Sequence, residues 1–288
     1  MSARRVLVTG ASGFIGRRCL PRLATLGYEV HGVSSRDCDL LDGAAGEALI
    51  ARLRPSHLLH LAWIATPGVF WQSPLNQAWL AASVRLAGAF YARGGARAVG
   101  VGTCAEYGPS ASPCREDATP VAPNTPYGEA KAAMQRALAA AAGARGSWAW
   151  ARLFFPYGPG EPAGRFIPSV IDGLIKRAPV ACSEGVQVRD FVYADDVADA
   201  CVALVEAEAS GVYNVGTGQG SSLREVAAVI IAELGHGELV RFGERKAAPH
   251  EPPYLVADTA KTRREIGWKA RLGLEEGIHM TIAARGGA

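Results

Sequence analysis

The amino-acid sequence predicts an α/β fold, a doubly wound parallel sheet joined to a smaller mixed α/β region. Three features carry that expectation. Short β-branched runs bounded by glycine alternate with helix-length segments, a glycine-rich turn links the first run to the first helix, and Gly/Pro-rich loops take over after "FFPYGPGEPAG". Alternation of this kind needs crossover helices, and crossovers make neighbouring strands parallel.

The elements follow in order. Strands are expected at 4–9, 28–34, 57–61, 97–102 and 147–154, and helices at 13–26, 44–54, 76–93 and 126–142. The last helix is announced by "NTP": Thr125 suits the capping position and Pro126 the first helical position, where an amide has no partner to lose. Alanines over 137–144 propagate it. Residues 1–156 form the expected main domain, with 186–216 ("RDFVYADDVADACVALVE", "GVYNVGTG") returning to it; 157–185 and 217–288 build the smaller region.

Composition narrows the chemistry. The 288 residues are 49% hydrophobic, enough for a substantial core, and 30 Lys+Arg against 27 Asp+Glu leave +3 with no basic block. Nothing in that balance selects a nucleic acid or a membrane surface, so a small-molecule ligand is expected. Six cysteines lie scattered without a CxxC or a Cys/His cluster, which predicts reduced thiols and no metal. The strand-like "RRVLVTG" begins at residue 4 and no run of 18 apolar residues occurs, so a soluble, cytoplasmic protein is expected.

"VLVTGASGFIGRR" passes from strand to helix through Gly10, Gly13 and Gly16. The turn must be sharp, the backbone must admit a pyrophosphate, and the helix must pack close to the sheet; a side chain at any of the three obstructs one of these. Amides at the helix start then face the phosphates. A dinucleotide site of the Rossmann type is expected, with Ser12, Phe14 and Ile15 between the glycines contributing to it.

The next strand, "YEVHGV", delivers Ser34 where an acidic residue would ordinarily meet the adenosine ribose. A carboxylate there would repel a 2′-phosphate by on the order of 4 kcal/mol per charge pair at an effective dielectric near 20. Ser34 and Ser35 remove that repulsion and Arg36 offers a planar fork, which predicts NADP(H). The alternative is an exposed arginine in an ordinary turn, with Asp37 or Asp39 taking the ribose. Asp39 and Leu40 are expected near the adenine.

"TPYGEAK" sets Tyr127 and Lys131 four residues apart on one helix face. A free phenol has a pKa near 10; lowering it by about three units requires roughly 4 kcal/mol, which a neighbouring ammonium is expected to contribute. Upstream, "VGVGTCAEYG" ends a strand at Thr103, whose hydroxyl is placed to hold a substrate carbonyl beside Tyr127.

With these motifs the chain resembles an extended short-chain dehydrogenase/reductase of the sugar-nucleotide epimerase/dehydratase family. The likeness rests on "TGASGFIG", "HLLHLAW", "GTCAEYG", "YGEAK", "ARLFFPYGPGE", "VRDFVYADDVA" and "GVYNVGTG", and spans nearly the whole chain. It implies Thr103, Tyr127 and Lys131 as the catalytic set; Leu61, Ala62, Trp63 and Phe154 beside the cofactor; and Cys104, Phe155, Arg165, Arg189 and Glu251 toward the substrate, with Arg189 on the nucleotide diphosphate. It also implies a homodimer through the helices at 76–93 and 126–142, whose Ala81, Ala82, Ala130 and Ala133 permit close packing.

Departures from the family pattern select among its reactions. Cys104 and Ala105 stand where 4,6-dehydratases place Asp-Glu, which argues against dehydration; Ala105 and Gly160 replace the cysteine and histidine of fucose-synthase-like enzymes, and Cys104 reads as a packed small side chain. Direct 4-epimerases generally keep NAD⁺ bound, whereas net reduction consumes NADPH. The expectation is therefore an NADPH-dependent ketoreductase of an NDP-4-keto-6-deoxyhexose. An NAD-dependent NDP-sugar epimerase is the alternative, and a non-catalytic NADP-binding regulator stands behind both. Phe155 replaces a frequent asparagine, Ala248 a usual arginine, and Trp63, Trp71 and Trp79 either stack on the sugar or pack internally.

Overall fold

A computed structural model describes residues 4–144, 146–246 and 251–286. In chain order the first half runs β1 (Arg5–Thr9), α1 (Gly16–Thr25), β2 (Glu29–Val33), α2 (Ala45–Leu53), β3 (His57–His60), α3 (Leu75–Ala92), β4 (Arg97–Thr103), α4 (Pro126–Ala142) and β5 (Ser147–Leu153). The second half runs β6 (Phe155–Tyr157), α5 (Phe166–Ile175), β7 (Val180–Cys182), β8 (Val188–Arg189), β9 (Phe191–Tyr193), α6 (Ala194–Glu206) and β10 (Gly211–Val215). It closes with β11 (Ser221–Ser222), α7 (Leu223–Leu234), β12 (Val240–Phe242), β13 (Tyr254–Leu255), α8 (Ala260–Ile266) and α9 (Leu274–Gly286).

Six strands form one parallel sheet in the order β10-β5-β4-β3-β1-β2, the doubly wound sheet expected. Alternation along a strand sends side chains to opposite faces. In β1, Val6 and Val8 join the layer of α1 and α6, with Leu23, Val197 and Leu204, while Leu7 joins that of α2, α3 and α4, with Ile50, Phe90, Met134 and Leu138. A separate core gathers Ile167, Ile171, Val226, Ile230 and Ile278 from α5, α7 and α9.

Local chemistry sets the ends of the elements. Thr125 accepts the Gly128 amide at 3.1 Å, Pro126 opens α4, and Gly143 at φ 57° ends it. Helix α1 begins at Gly16 rather than near 13, because residues 11–15 turn instead of coiling, with the Gly13 amide donating to the Gly10 carbonyl at 3.0 Å. Of the alanines proposed for a dimer face, Ala82 and Ala130 are buried within the chain and Ala81 is exposed. Ala248 lies outside the described residues.

Candidate active site

The sheet order reverses between β1 and β3: the chain leaves β1 for β2 on one side and returns to β3 on the other. Open α/β sheets bind ligands beyond the carboxyl ends of their strands at such a point. Gly10 follows β1 with φ 68°, and a Cβ there would stand 2.9 Å from the Ala62 amide beyond β3. A Cβ at Gly16 would overlap the Gly10 carbonyl oxygen. The crevice is thus a cradle of bare backbone, and a dinucleotide pyrophosphate fits it.

From that cradle a cavity of about 340 Å³ runs past the end of β4 to the start of α4. It brings together Gly10, Gly13, Phe14, Ile15 and Gly16 with Leu61, Ala62 and Trp63, then Thr103, Cys104, Tyr127 and Lys131. Phe154, Phe155, Arg165, Arg189 and Glu251 complete the set foreseen from sequence. Ser12, Ser34, Ser35, Arg36, Asp39 and Leu40 do not line it; Ser12, Ser35, Arg36 and Asp39 are exposed, and Leu40 is buried in the α2 layer.

Thr103 ends β4 and caps the short turn that follows, its hydroxyl accepting the Ala105 amide at 3.2 Å while its own amide donates to Glu106 at 2.9 Å. Lys131 is buried; its ammonium donates to the Val101 carbonyl at 2.8 Å and lies 4.0 Å from the centroid of the Trp63 ring. Burial pushes that ammonium down to about 7, against a smaller upward pull from Glu106. The Tyr127 phenol differs from expectation. Desolvation pushes it up, and Arg165 and a hydrogen bond with the Thr103 side chain oppose that rise less strongly; the Lys131 ammonium lies 5.9 Å from the phenol ring centroid. Tyr127 thus stays a protonated acid at neutral pH, as an ordinary phenol does.

Beneath Thr103 lies a fully buried ion pair. Glu106 accepts Arg152 Nε at 2.7 Å and the Trp150 indole at 2.9 Å. A Cβ at Gly102 would overlap both Glu106 and Trp150, so the glycine in β4 makes room for the pair. Cys104 packs with Tyr107, Cys114, Phe154 and Leu255, and burial raises its thiol to about 12. It reaches the cavity as an apolar wall.

Two aromatics close on the phenol. Phe70 and Trp71 meet the Tyr127 ring edge-on at 4.7 and 5.6 Å, and the Tyr127 amide donates to the Trp71 carbonyl at 3.2 Å. Trp63 stacks on Trp79 at 6.3 Å and donates its indole to Asn76 at 2.9 Å, so Trp63 and Trp71 face the cavity while Trp79 supports from behind. Arg189 is held with Cζ 5.3 Å from the Phe155 centroid and Nη2 3.8 Å from the Glu251 carboxylate. Phe155 thereby carries a guanidinium where a smaller polar residue was expected. Sequence reasoning missed Phe70, Asn124 and Glu161 in this lining.

At the adenosine end, Ser34 follows β2, and both its amide and its hydroxyl donate to Asp37, at 2.8 and 2.7 Å. These bonds, with Arg36 nearby, hold the Asp37 carboxyl below the usual range. The turn folds a carboxylate back beside Ser34, which keeps open the alternative of Asp37 at the ribose. Asp39 caps its own turn, accepting the Leu41 amide at 3.0 Å.

A glycine cradle at the sheet's switch point, opening into a cavity with Thr103, Tyr127 and Lys131, defines an extended short-chain dehydrogenase/reductase. The chain belongs to the NAD-dependent epimerase/dehydratase family, whose model matches residues 6–216. It is 28% identical to a UDP-glucose 4-epimerase of Bacillus subtilis, over 94% of each chain. It is 34% identical over 134 residues to a CDP-abequose synthase of Salmonella typhimurium, 44% of each. Among solved structures, MoeE5 in complex with UDP-glucose and NAD superposes with a TM-score of 0.85 at 29% identity, covering 98% of both chains.

Proposed function

We propose that the protein uses NADPH to reduce the keto group of a nucleotide-linked 4-keto-6-deoxyhexose. The observation that carries this reading is the end of β2, where neutral Ser34 replaces the ribose carboxylate and exposed Arg36 follows. When bound, the dinucleotide supplies the hydride. Thr103 holds the keto oxygen, Tyr127 gives it a proton, and Lys131 orients the cofactor ribose. Reduction needs a protonated Tyr127, the state a phenol already holds at neutral pH and burial favours further. Cys104 and Ala105 offer no carboxylate for elimination beside Thr103, which disfavours a dehydratase. The relative named for making a CDP-linked sugar supports the same substrate class.

A nucleotide-sugar epimerase is the second reading. Asp37 favours it, because its carboxylate stands beside Ser34 where a 2′-phosphate would meet it, and so does the end-to-end likeness to UDP-glucose 4-epimerase. Two incubations separate them: CDP-, dTDP-, GDP- and UDP-4-keto-6-deoxyhexoses with NADPH, and the corresponding nucleotide-linked glucoses, which keep the C4 hydrogen an epimerase must remove, with NAD⁺. Stoichiometric loss of NADPH absorbance supports reduction. Sugar isomerisation with no net loss supports the epimerase. A homodimer through α3 and α4 belongs to either reading, and sedimentation equilibrium tests it.

A further inference from the structure

Glu161 lies in the loop between β6 and α5, where its amide donates to the Gly158 carbonyl at 3.1 Å. The residue lines the cavity and is only 9% exposed. Its Oε2 is buried with no hydrogen-bond partner among the described residues. Buried polar groups are ordinarily paired, and an unpaired carboxyl oxygen in a cavity wall costs stability unless a ligand completes it.

The surroundings indicate what that ligand offers. Arg165 lines the same cavity, yet forms no ion pair with Glu161 within 4.0 Å among the described residues; its guanidinium lies instead 5.5 Å from the Phe70 ring. A gap is therefore kept between the carboxyl and the nearest cation on the wall. Burial pushes the Glu161 carboxyl up to about 8, while Arg165, Arg285 and a backbone bond at Gly158 pull less strongly the other way. A group in that state carries one donor and one acceptor, which matches a hydroxyl.

We propose that Glu161 is a specificity-determining residue that binds one hydroxyl of the sugar ring. The proposal rests on reading the cavity as a nucleotide-sugar site, and holds for reduction and epimerisation alike. A site built to pair a hydroxyl rejects the analogue that lacks it, because the protein group is then left buried and unpaired.

Calorimetry on the NAD(P)-loaded protein tests it. The probes are CDP-, dTDP-, GDP- and UDP-glucose, the four monodeoxy analogues of whichever binds best, and its bare nucleoside diphosphate. For wild type, one monodeoxy analogue is expected to bind about tenfold or more weakly than the parent. Glu161→Leu is expected to weaken the parent by a similar factor, erase the gap to that analogue, and leave the bare diphosphate within about twofold. Glu161→Gln, whose amide both donates and accepts, is expected to stay within about threefold of wild type. Equal binding of all four analogues by wild type overturns the proposal, whether or not either variant folds. So does an equal loss on sugar nucleotide and bare diphosphate in Glu161→Leu. If neither a nucleotide-glucose nor its 4-keto-6-deoxy counterpart binds, the nucleotide-sugar reading itself fails, and this inference with it.

Discussion

The ammonium of Lys131 sits over the face of Trp63, 4.0 Å from the ring centroid, and donates to the Val101 carbonyl. An ammonium buried there is disfavoured, and its pKa falls from 10.5 to about 7. Between about 7 and 10.5 the unfolded chain holds a proton that the folded one lacks, so stability rises with pH across that window. Below it the penalty is present in full. Lys131→Met should therefore melt above wild type at pH 6, with the difference shrinking toward pH 10. Scanning calorimetry of the ligand-free proteins checks this; a constant offset at every pH would contradict it.

The Trp63 ring should in turn support the charge. A desolvated cation–π contact is worth about 0.5–2 kcal/mol, and one pKa unit corresponds to about 1.4 kcal/mol. Trp63→Leu should lower the Lys131 pKa by about 0.4–1.5 units, read by NMR titration of the labelled ε-methylene. An unchanged titration would mean that the ring only fills space.

The Glu106–Arg152 pair predicts a different signature. Glu106→Leu leaves a buried guanidinium without its carboxylate, a loss of about 3–5 kcal/mol in urea unfolding. It also frees the Thr103 amide and the Trp150 indole. Glu106→Leu combined with Arg152→Met should recover most of the stability, since an apolar pair of similar volume suits the same space. If the double variant is as unstable as the single one, the pair is not the unit that matters.

What the sequence disclosed follows from the range of each interaction. Thr103, Tyr127, Lys131 and the three glycines belong to patterns of fixed local spacing, so their types and order point to one crevice before any coordinates exist. The Glu106–Arg152 pair spans 46 residues and Phe70 reaches Tyr127 across 57, and no local period encodes either. A trace was present in "VGVG", because a bulky Trp150 and a buried carboxylate need Gly100 and Gly102 opposite them. Glu161 left the weaker trace of a lone charge among prolines and glycines. The raised Tyr127 phenol was illegible because it depends on burial, to which Phe70 and Trp71, far off in sequence, contribute.

Glu161 also predicts how stability responds to pH. Its carboxyl is raised from 4.5 to about 8 by burial, so between those values the folded chain keeps a proton that the unfolded chain has released. Stability falls as pH rises through that window, and the full penalty stands above about pH 8. Glu161→Gln should melt with wild type at pH 4 and above it at pH 9. An offset that is the same at both pH values would place Glu161 outside the buried, unpaired state.

On the proposed reading, cofactor choice turns on three neighbouring groups after β2. Ser34 removes a fixed carboxylate from the strand end, Arg36 adds a cation, and Asp37 returns an anion that the Ser34 hydroxyl holds ionised. A 2′-phosphate bound at this strand end would meet the last two with opposite sign. Arg36→Ala should therefore weaken NADPH by about tenfold, the size of one charge-assisted hydrogen bond, and leave NADH within about twofold. Asp37→Asn should shift the ratio of NADPH to NADH affinity the other way. Because Asp37 also organises the turn through the Ser34 amide, the asparagine variant keeps the side-chain shape and changes chiefly the charge. Titration calorimetry with both dinucleotides supplies the ratios. If wild type captures NADH more tightly and Arg36→Ala changes neither affinity, Arg36 is only a solvated surface charge and the epimerase reading gains the cofactor it requires.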